Sequence, residues 1–421
     1  MDVDKRVVVL GIARAADALG NSFLIIVLPV YISGGQVVLG DLTSVEILGV
    51  TLGVEFYIGL ALSAYGFISS FGQPFSGQLS DRIQRRKALI LTGLGVFGIA
   101  TATYPFVSQY ISVIALRAAQ GIGAALIVPA NVALVNEYSA SEDERGRNFG
   151  FFNTFRLVGF GFGPVIAGMI ISAGPHPTPL GIISGVNAAF GVALATVLLS
   201  IFLVLAFVRD PEDIERTGAG TLGIKAALQG NEDSAKLRAV FALGFGTVLL
   251  TSSLGVFATL EGPVNSKLQQ GSFLFSAQFA AGVLANVIGQ YPVGRASDKF
   301  GRRPFIVAGF IVIAPAVAAQ AFVTSSLGML VARFLQGVSV ALVFAPTLAL
   351  VGDLAGEGQS GGYLSVLTSA FGFGIAVGPL AAGVLFSIGG YQAPFLVTAG
   401  TGFLGLIVVL LEVEEASAYI D

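Results

Sequence analysis

The chain has 421 residues, 54% of them hydrophobic and 11% charged, with a formal net charge of -3 and a mean hydropathy of +0.84. An average soluble protein carries about 25% charged residues, so a soluble globule is excluded and a chain that crosses a membrane many times is indicated. With Cys 0 and His 1, disulfide frameworks, thiolate chemistry and multi-histidine metal sites are excluded, and the absence of any basic stripe leaves no reason to expect a nucleic-acid partner.

Spanning a hydrocarbon core of about 30 Å takes about 20 mostly apolar residues, because a helix rises about 1.5 Å per residue. In chain order, twelve such stretches fall near 7–32, 54–79, 87–107, 110–138, 147–173, 181–208, 239–261, 273–296, 304–324, 326–353, 361–389 and 392–411. The first is too long for a signal-peptide core and no small-residue cleavage site follows it, so it is expected to remain as a helix. Residues 209–238 form the one long polar stretch. The expected organisation is an N-terminal six-helix half over 1–208, a cytoplasmic linker over 209–238 and a C-terminal six-helix half over 239–421. Glu412, Glu414, Glu415 and Asp421 read as a solvated acidic tail.

Lys and Arg gather in cytoplasmic loops, which tests the span count. With the N-terminus inside, seventeen of the 22 fall on the cytoplasmic side, Lys267 alone lies outside, and Arg14, Arg117, Arg156 and Arg333 fall within spans. One missed helix would scramble this asymmetry. The expectation is therefore an all-α, multi-pass protein of the cell membrane with both termini cytoplasmic, surrounded by lipid and acting as a monomer.

The two halves carry the same features in the same order, the mark of a transporter built from repeated units. GQLSDRIQRRK from Gly77 matches GRASDKFGRRP from Gly294. LRAAQG places Arg117 as ARFLQG places Arg333, and ALVNE ending at Glu137 matches ALVGD ending at Asp353. G-x-x-x-G-P-x-x-A-G runs from Gly159 and again from Gly374, and all four offsets lie between 215 and 217 residues.

These residues resemble the major facilitator superfamily, and within it the twelve-helix drug:proton antiporters. Gly77, Asp81, Arg82, Arg85 and Arg86, with Gly294, Asp298, Gly301, Arg302 and Arg303, look like that superfamily's cytoplasmic loop signature. Arg117, Gln120 and Gly121 look like its fourth-helix signature, and Gly159, Gly163, Pro164 and Gly168 like the fifth-helix antiporter signature. Gln84 stands where the loop signature has Gly, and Ala167 where the antiporter pattern has Gly. The resemblance implies two pseudo-symmetric six-helix bundles that alternate access to a small-molecule substrate.

In the loop, a carboxylate at Asp81 can pair with a guanidinium and with a helix N-terminus. Contacts made only while the two halves are closed on the cytoplasmic side would act as a releasable latch. Gly159, Gly163 and Gly168 fall on or near one helix face and let another helix approach, while Pro164 removes a backbone donor and favours a kink. An ionisable group inside the bilayer costs several kcal/mol and is a functional candidate. Asp17 lies about 15 Å into the first helix, near the midplane. Arg14, Asp17 and Asn21 share a face. Arg117 could reach Asp17 from the fourth helix, and the alternative is a fixed pair of Asp17 with either Arg14 or Arg117 that only neutralises charge. Burial favours a protonated carboxylate and a nearby guanidinium an ionised one, so motion that changes the pair can load and release a proton. Arg156 is similarly embedded, or faces the cytoplasmic vestibule, and Arg333 is the repeat mate of Arg117. Glu55, Glu137, Glu261 and Asp353 lie near helix ends, where solvation is the simpler reading.

None of the six lysines follows a glycine, so no phosphate loop exists for ATP hydrolysis. No span carries a paired-carboxylate, Ser-His or metal constellation, so neither an enzyme nor a cofactor is expected. The leading reading is proton-coupled export of amphipathic or drug-like compounds; Phe 33 and Tyr 10 suit an apolar cavity. The alternatives are a proton-coupled or facilitative transporter of a small polar metabolite such as a sugar, and a non-transporting receptor or scaffold.

Overall fold

A computed structural model describes residues 5–47, 49–139, 142–179, 181–211, 234–354 and 360–415. Residues 212–233 of the expected linker and Asp421 of the acidic tail lie outside the described residues. The long helices are α1 (Lys5–Ser33), α2 (Val54–Ile83), α3 (Arg86–Thr103), α4 (Tyr110–Glu137), α5 (Glu142–Ala173) and α6 (Gly185–Phe207), then α7 (Ser234–Thr259), α8 (Ser272–Phe300), α9 (Arg303–Phe322), α10 (Ser326–Leu354), α11 (Ser360–Gly389) and α12 (Gln392–Glu412). Among the described residues these twelve are long and apolar enough to cross a membrane.

Two expectations about boundaries change. The sixth span was expected from residue 181, but His176–Thr178 and Gly181–Ile183 pair as an antiparallel hairpin and α6 starts only at Gly185. Pro175, Pro177 and Pro179 cannot supply helical donors there, and Ser184 caps the new start by accepting from the Asn187 amide at 3.2 Å. After α7 comes an unforeseen two-turn helix, Glu261–Leu268. Glu261 is 1% exposed, so the expectation of solvation fails for it.

The chain divides into two compact units, the first comprising Met1–Val45, Leu60–Ala219 and Val264–Ala280 and the second comprising Glu46–Gly59, Gly220–Pro263 and Ala281–Asp421. In the first unit α1 packs on α5 and α6, and α3 on α4 and α6. In the second, α7 packs on α11 and α12, and α9 on α10 and α12, which is the same pattern moved six helices along. The repeat seen in the motifs is therefore a repeat of packing. In each unit the crossing that the glycine motif occupies is α5 on α1, or α11 on α7.

Candidate functional site: the buried charges of the first unit

Arg14 and Asp17 sit one turn apart on α1, and an Arg14 terminal nitrogen donates to Asp17 Oδ2. Their side chains are 14% and 7% exposed, so the pair is held largely away from solvent. Such a pair survives because each charge satisfies the other; removing either leaves an uncompensated buried ion. Asn21 is half-buried on the same face.

Arg117 does not join this pair. Its Nε donates to the Ala61 carbonyl at 3.3 Å and a terminal nitrogen to Gln120 Oε1 at 3.1 Å, and its guanidinium lies 4.6 Å from the centre of the Tyr65 ring. Gln120 in turn donates to Thr101 Oγ1 at 3.0 Å and accepts from Tyr104 at 3.2 Å. The fixed-pair alternative thus takes its Arg14 form, and Arg117 ties α2, α3 and α4 together. Arg333 repeats the arrangement: it donates to Gln336, which donates to Ser253 Oγ at 2.9 Å, and it lies 4.3 Å from the centre of the Phe257 ring. Arg156 on α5 is half-buried and donates from Nε to Asn153 Oδ1 at 2.9 Å.

The antiporter-type glycines explain how α5 reaches α1 beside these charges. A Cβ on Gly159 would lie 2.1 Å from the Ala15 carbonyl oxygen, and one on Gly163 would lie 1.9 Å from Ser22 Oγ. Gly168 faces α8 instead, where a Cβ would lie 2.2 Å from Ser276 Oγ. Pro164, between them, lies inside the helix. Gly374 and Gly378 repeat the contact against α7, where a Cβ would lie 2.0 Å from Thr251 Oγ1 and 2.2 Å from the Ser252 oxygen.

At the α2–α3 turn, Arg86 is the organising cation. It donates to Ser80 Oγ at 2.6 Å, to Asp81 at 3.1 Å and, from Nε, to Glu137 at 3.1 Å, while Asp81, Arg82 and Arg85 are exposed. The second unit uses the preceding arginine of the motif: Arg302 donates to Ser297 at 2.9 Å, to Asp298, and to Asp353 at 3.4 Å, and Arg303 donates to the Leu410 carbonyl at 3.0 Å. Glu137 and Asp353 are thus paired acids rather than merely solvated ones. Both turns pass through a left-handed residue, Gln84 at φ 55 and Gly301 at φ 91, so Gln84 keeps the turn that glycine would make. A Cβ at Gly77 would meet its nearest neighbour at 3.8 Å and one at Gly294 nothing within 4 Å, so close packing does not demand glycine at either.

The helix N-terminus expected to meet Asp81 is met by other acids. Asp210 accepts from the Lys87 amide at 2.9 Å, and Glu415 accepts from the Arg302 and Arg303 amides at 3.1 and 2.7 Å. An acid placed on free amides at the start of a helix is stabilised by them and by the helix dipole. Glu415 is therefore a helix cap rather than part of a solvated tail. Both caps were missed in the sequence, although an acid just past the last apolar span of each half was a usable signal.

A family model described as Major Facilitator Superfamily matches residues 10–262 and 239–419, which together take in nearly the whole chain. The chain belongs to the major facilitator superfamily. As a member it is a secondary transporter of small molecules embedded in a membrane, not an enzyme, and its twelve helices are those of the major facilitator fold. It is 23% identical over 404 residues to the quinolone resistance protein NorA of Staphylococcus aureus, a match spanning 94% of each chain. It is 26% identical over 176 residues to an uncharacterised major facilitator transporter of Methanocaldococcus jannaschii, covering 42% of this chain and 46% of that one. The structure of a bacterial homologue of the human lysosomal transporter Spinster superposes with a TM-score of 0.77 at 12% identity, covering 98% of this chain and 96% of that one.

Proposed function

We propose that this major facilitator protein exports amphipathic, drug-like compounds in exchange for protons, with both termini and the two basic turns on the cytoplasmic side of the cell membrane. The observation that carries the reading is the Arg14–Asp17 pair, a buried carboxylate set in α1 at the crossing with α5. The match to a quinolone resistance protein along 94% of both chains supports the substrate class. The seventeen Lys and Arg residues on one side by sequence support the orientation.

In this reading Asp17 binds the coupling proton. Protonation removes the anion that holds Arg14, so the proton changes a contact of α1 at a helix crossing where glycines leave no slack. Arg117 and Arg333 hold their bundles rigid, and the Arg86 and Arg302 clusters set the ends of helices that move as the two halves rock between access states. The chain works as a monomer.

The test is transport in sealed vesicles with an imposed pH gradient, using ethidium and norfloxacin as probes. Wild-type protein moves at least one of them against its gradient, and Asp17→Asn loses pH-driven movement while still binding the compound in detergent. Full pH-driven movement in Asp17→Asn overturns the coupling role.

A further inference from the structure

Behind the Arg14–Asp17 pair, inside the first unit, lies a small cavity walled by four helices. Each gives a pair of residues one turn apart: Ala13 and Asp17 from α1, Ile90 and Leu94 from α3, Ile127 and Asn131 from α4, Ser200 and Val204 from α6; Arg14 adds its guanidinium. One acceptor on this wall is not used up. Asn131 is 4% exposed, and its Oδ1 is buried with no donor among the described residues. Arg14 donates to Oδ2 of the Asp17 carboxylate on the same wall. The Ser200 hydroxyl is committed, since it donates to the Ala13 carbonyl at 3.0 Å.

A buried carbonyl without a donor is destabilising, and native proteins relieve that cost with an ordered water where two to four polar groups converge on a space of about one water. This cavity is of that size and has those partners. An apolar guest would leave the Asn131 carbonyl unsatisfied, and a metal cation would be repelled by Arg14.

We infer that one ordered water occupies this cavity, donating to Asn131 Oδ1 and to Asp17 Oδ1, and that Asn131 is a positioning residue for the proton carried by Asp17. The inference rests on the coupling reading of Asp17 given above. While the carboxyl is ionised the water donates to Oδ1; when Oδ1 carries the proton the water turns to accept from it and keeps its donor bond to the Asn131 carbonyl. It therefore holds the same position in both protonation states, and the proton itself arrives from and leaves to bulk water. The other titratable groups near Asp17 are Arg14 on its own helix and Tyr65 from α2, with Arg117 from α4 over the Tyr65 ring and Arg156 from α5 close enough to feel Arg14. From α3 and α6 only Ile90, Leu94, Ser200 and Val204 line the cavity, so no other acid competes for the proton there.

The decisive experiment uses the full chain in lipid nanodiscs and in sealed vesicles. A map that resolves ordered waters in the first unit is expected to show a peak within about 3.2 Å of both Asn131 Oδ1 and Asp17 Oδ1. Asn131→Leu should lose that peak and move the pH midpoint of transport upward by about one unit, because the ionised carboxylate loses a donor. Asn131→Ser, which restores an acceptor and space for water, should recover most of the shift. A structural role alone would lower transport at every pH without moving the midpoint. No peak at the site in the wild-type map, or an unmoved midpoint in Asn131→Leu, overturns the inference while coupling through Asp17 stands. Full coupling in Asp17→Asn overturns the coupling reading itself, and this inference with it.

Discussion

Gly159 of α5 faces the main-chain oxygen of Ala15 in α1 so closely that a methyl group on it would lie 2.1 Å from that oxygen. Ala15 stands between Arg14 and Asp17, so a close approach of the two helices lies at the ion pair. Gly159→Ala is expected to push the helices apart and lower stability by about 1–3 kcal/mol, as overpacking does. Gly150→Ala on the same helix meets nothing within 4 Å and should be neutral or slightly stabilising. Thermal unfolding of both variants in detergent checks this, and equal melting temperatures would remove the packing argument.

Arg14, not Arg117, is the cation that Asp17 loses if a single arginine is removed. Arg14→Ala should therefore leave a buried carboxylate that stays protonated and abolish pH-driven transport, whereas the protein still folds because protonation neutralises the orphan. Arg117→Ala should instead destabilise the first unit, since it strips donors from Gln120 and the Ala61 carbonyl. Arg117→Lys should rescue only in part, because an ammonium cannot reproduce a planar fork. Transport rates normalised to folded protein separate the two outcomes.

Neighbouring arginines in the α2–α3 turn should behave very differently. Arg86 is buried and binds Ser80, Asp81 and Glu137, so Arg86→Ala should cost about 3 kcal/mol by leaving Glu137 without its cation. Arg85 is exposed, and Arg85→Ala should stay within about 0.5 kcal/mol of wild type. In the second unit the sensitive position is Arg302, one place earlier in the motif. Melting temperatures of the four alanine variants of Arg85, Arg86, Arg302 and Arg303 would show whether the pattern holds.

Gln84 holds a left-handed conformation at φ 55 that glycine enters without steric penalty. Gln84→Gly should stabilise the turn by up to about 1 kcal/mol, and Gly301→Gln should be harmful, because a Cβ there would lie 2.7 Å from Glu415 Oε1, the acid that caps α9. A melting temperature for Gln84→Gly below that of wild type would contradict the strain argument.

The twelve spans, the repeat and the family were legible in the sequence because each rests on local pattern: apolar length, charge sidedness, and motifs spaced 215 to 217 residues apart. Asp17 stood out for the same reason, being a charge inside an apolar run. What the sequence could not decide was partnership. Asp17 meets Arg14, three residues away, rather than Arg117, and only the fold decides between them. That Arg86 binds Glu137, that Glu415 caps α9 and that Asp210 caps α3 depend on groups brought together across 51 to 123 residues of chain. Asn131 shows the limit most plainly. Within α4 it is one polar residue among many apolar ones, and only the packing of α1, α3, α4 and α6 brings it to a cavity that Asp17 also lines. Local pattern sets which residues are buried; the tertiary structure sets which buried charge and dipole each of them must answer.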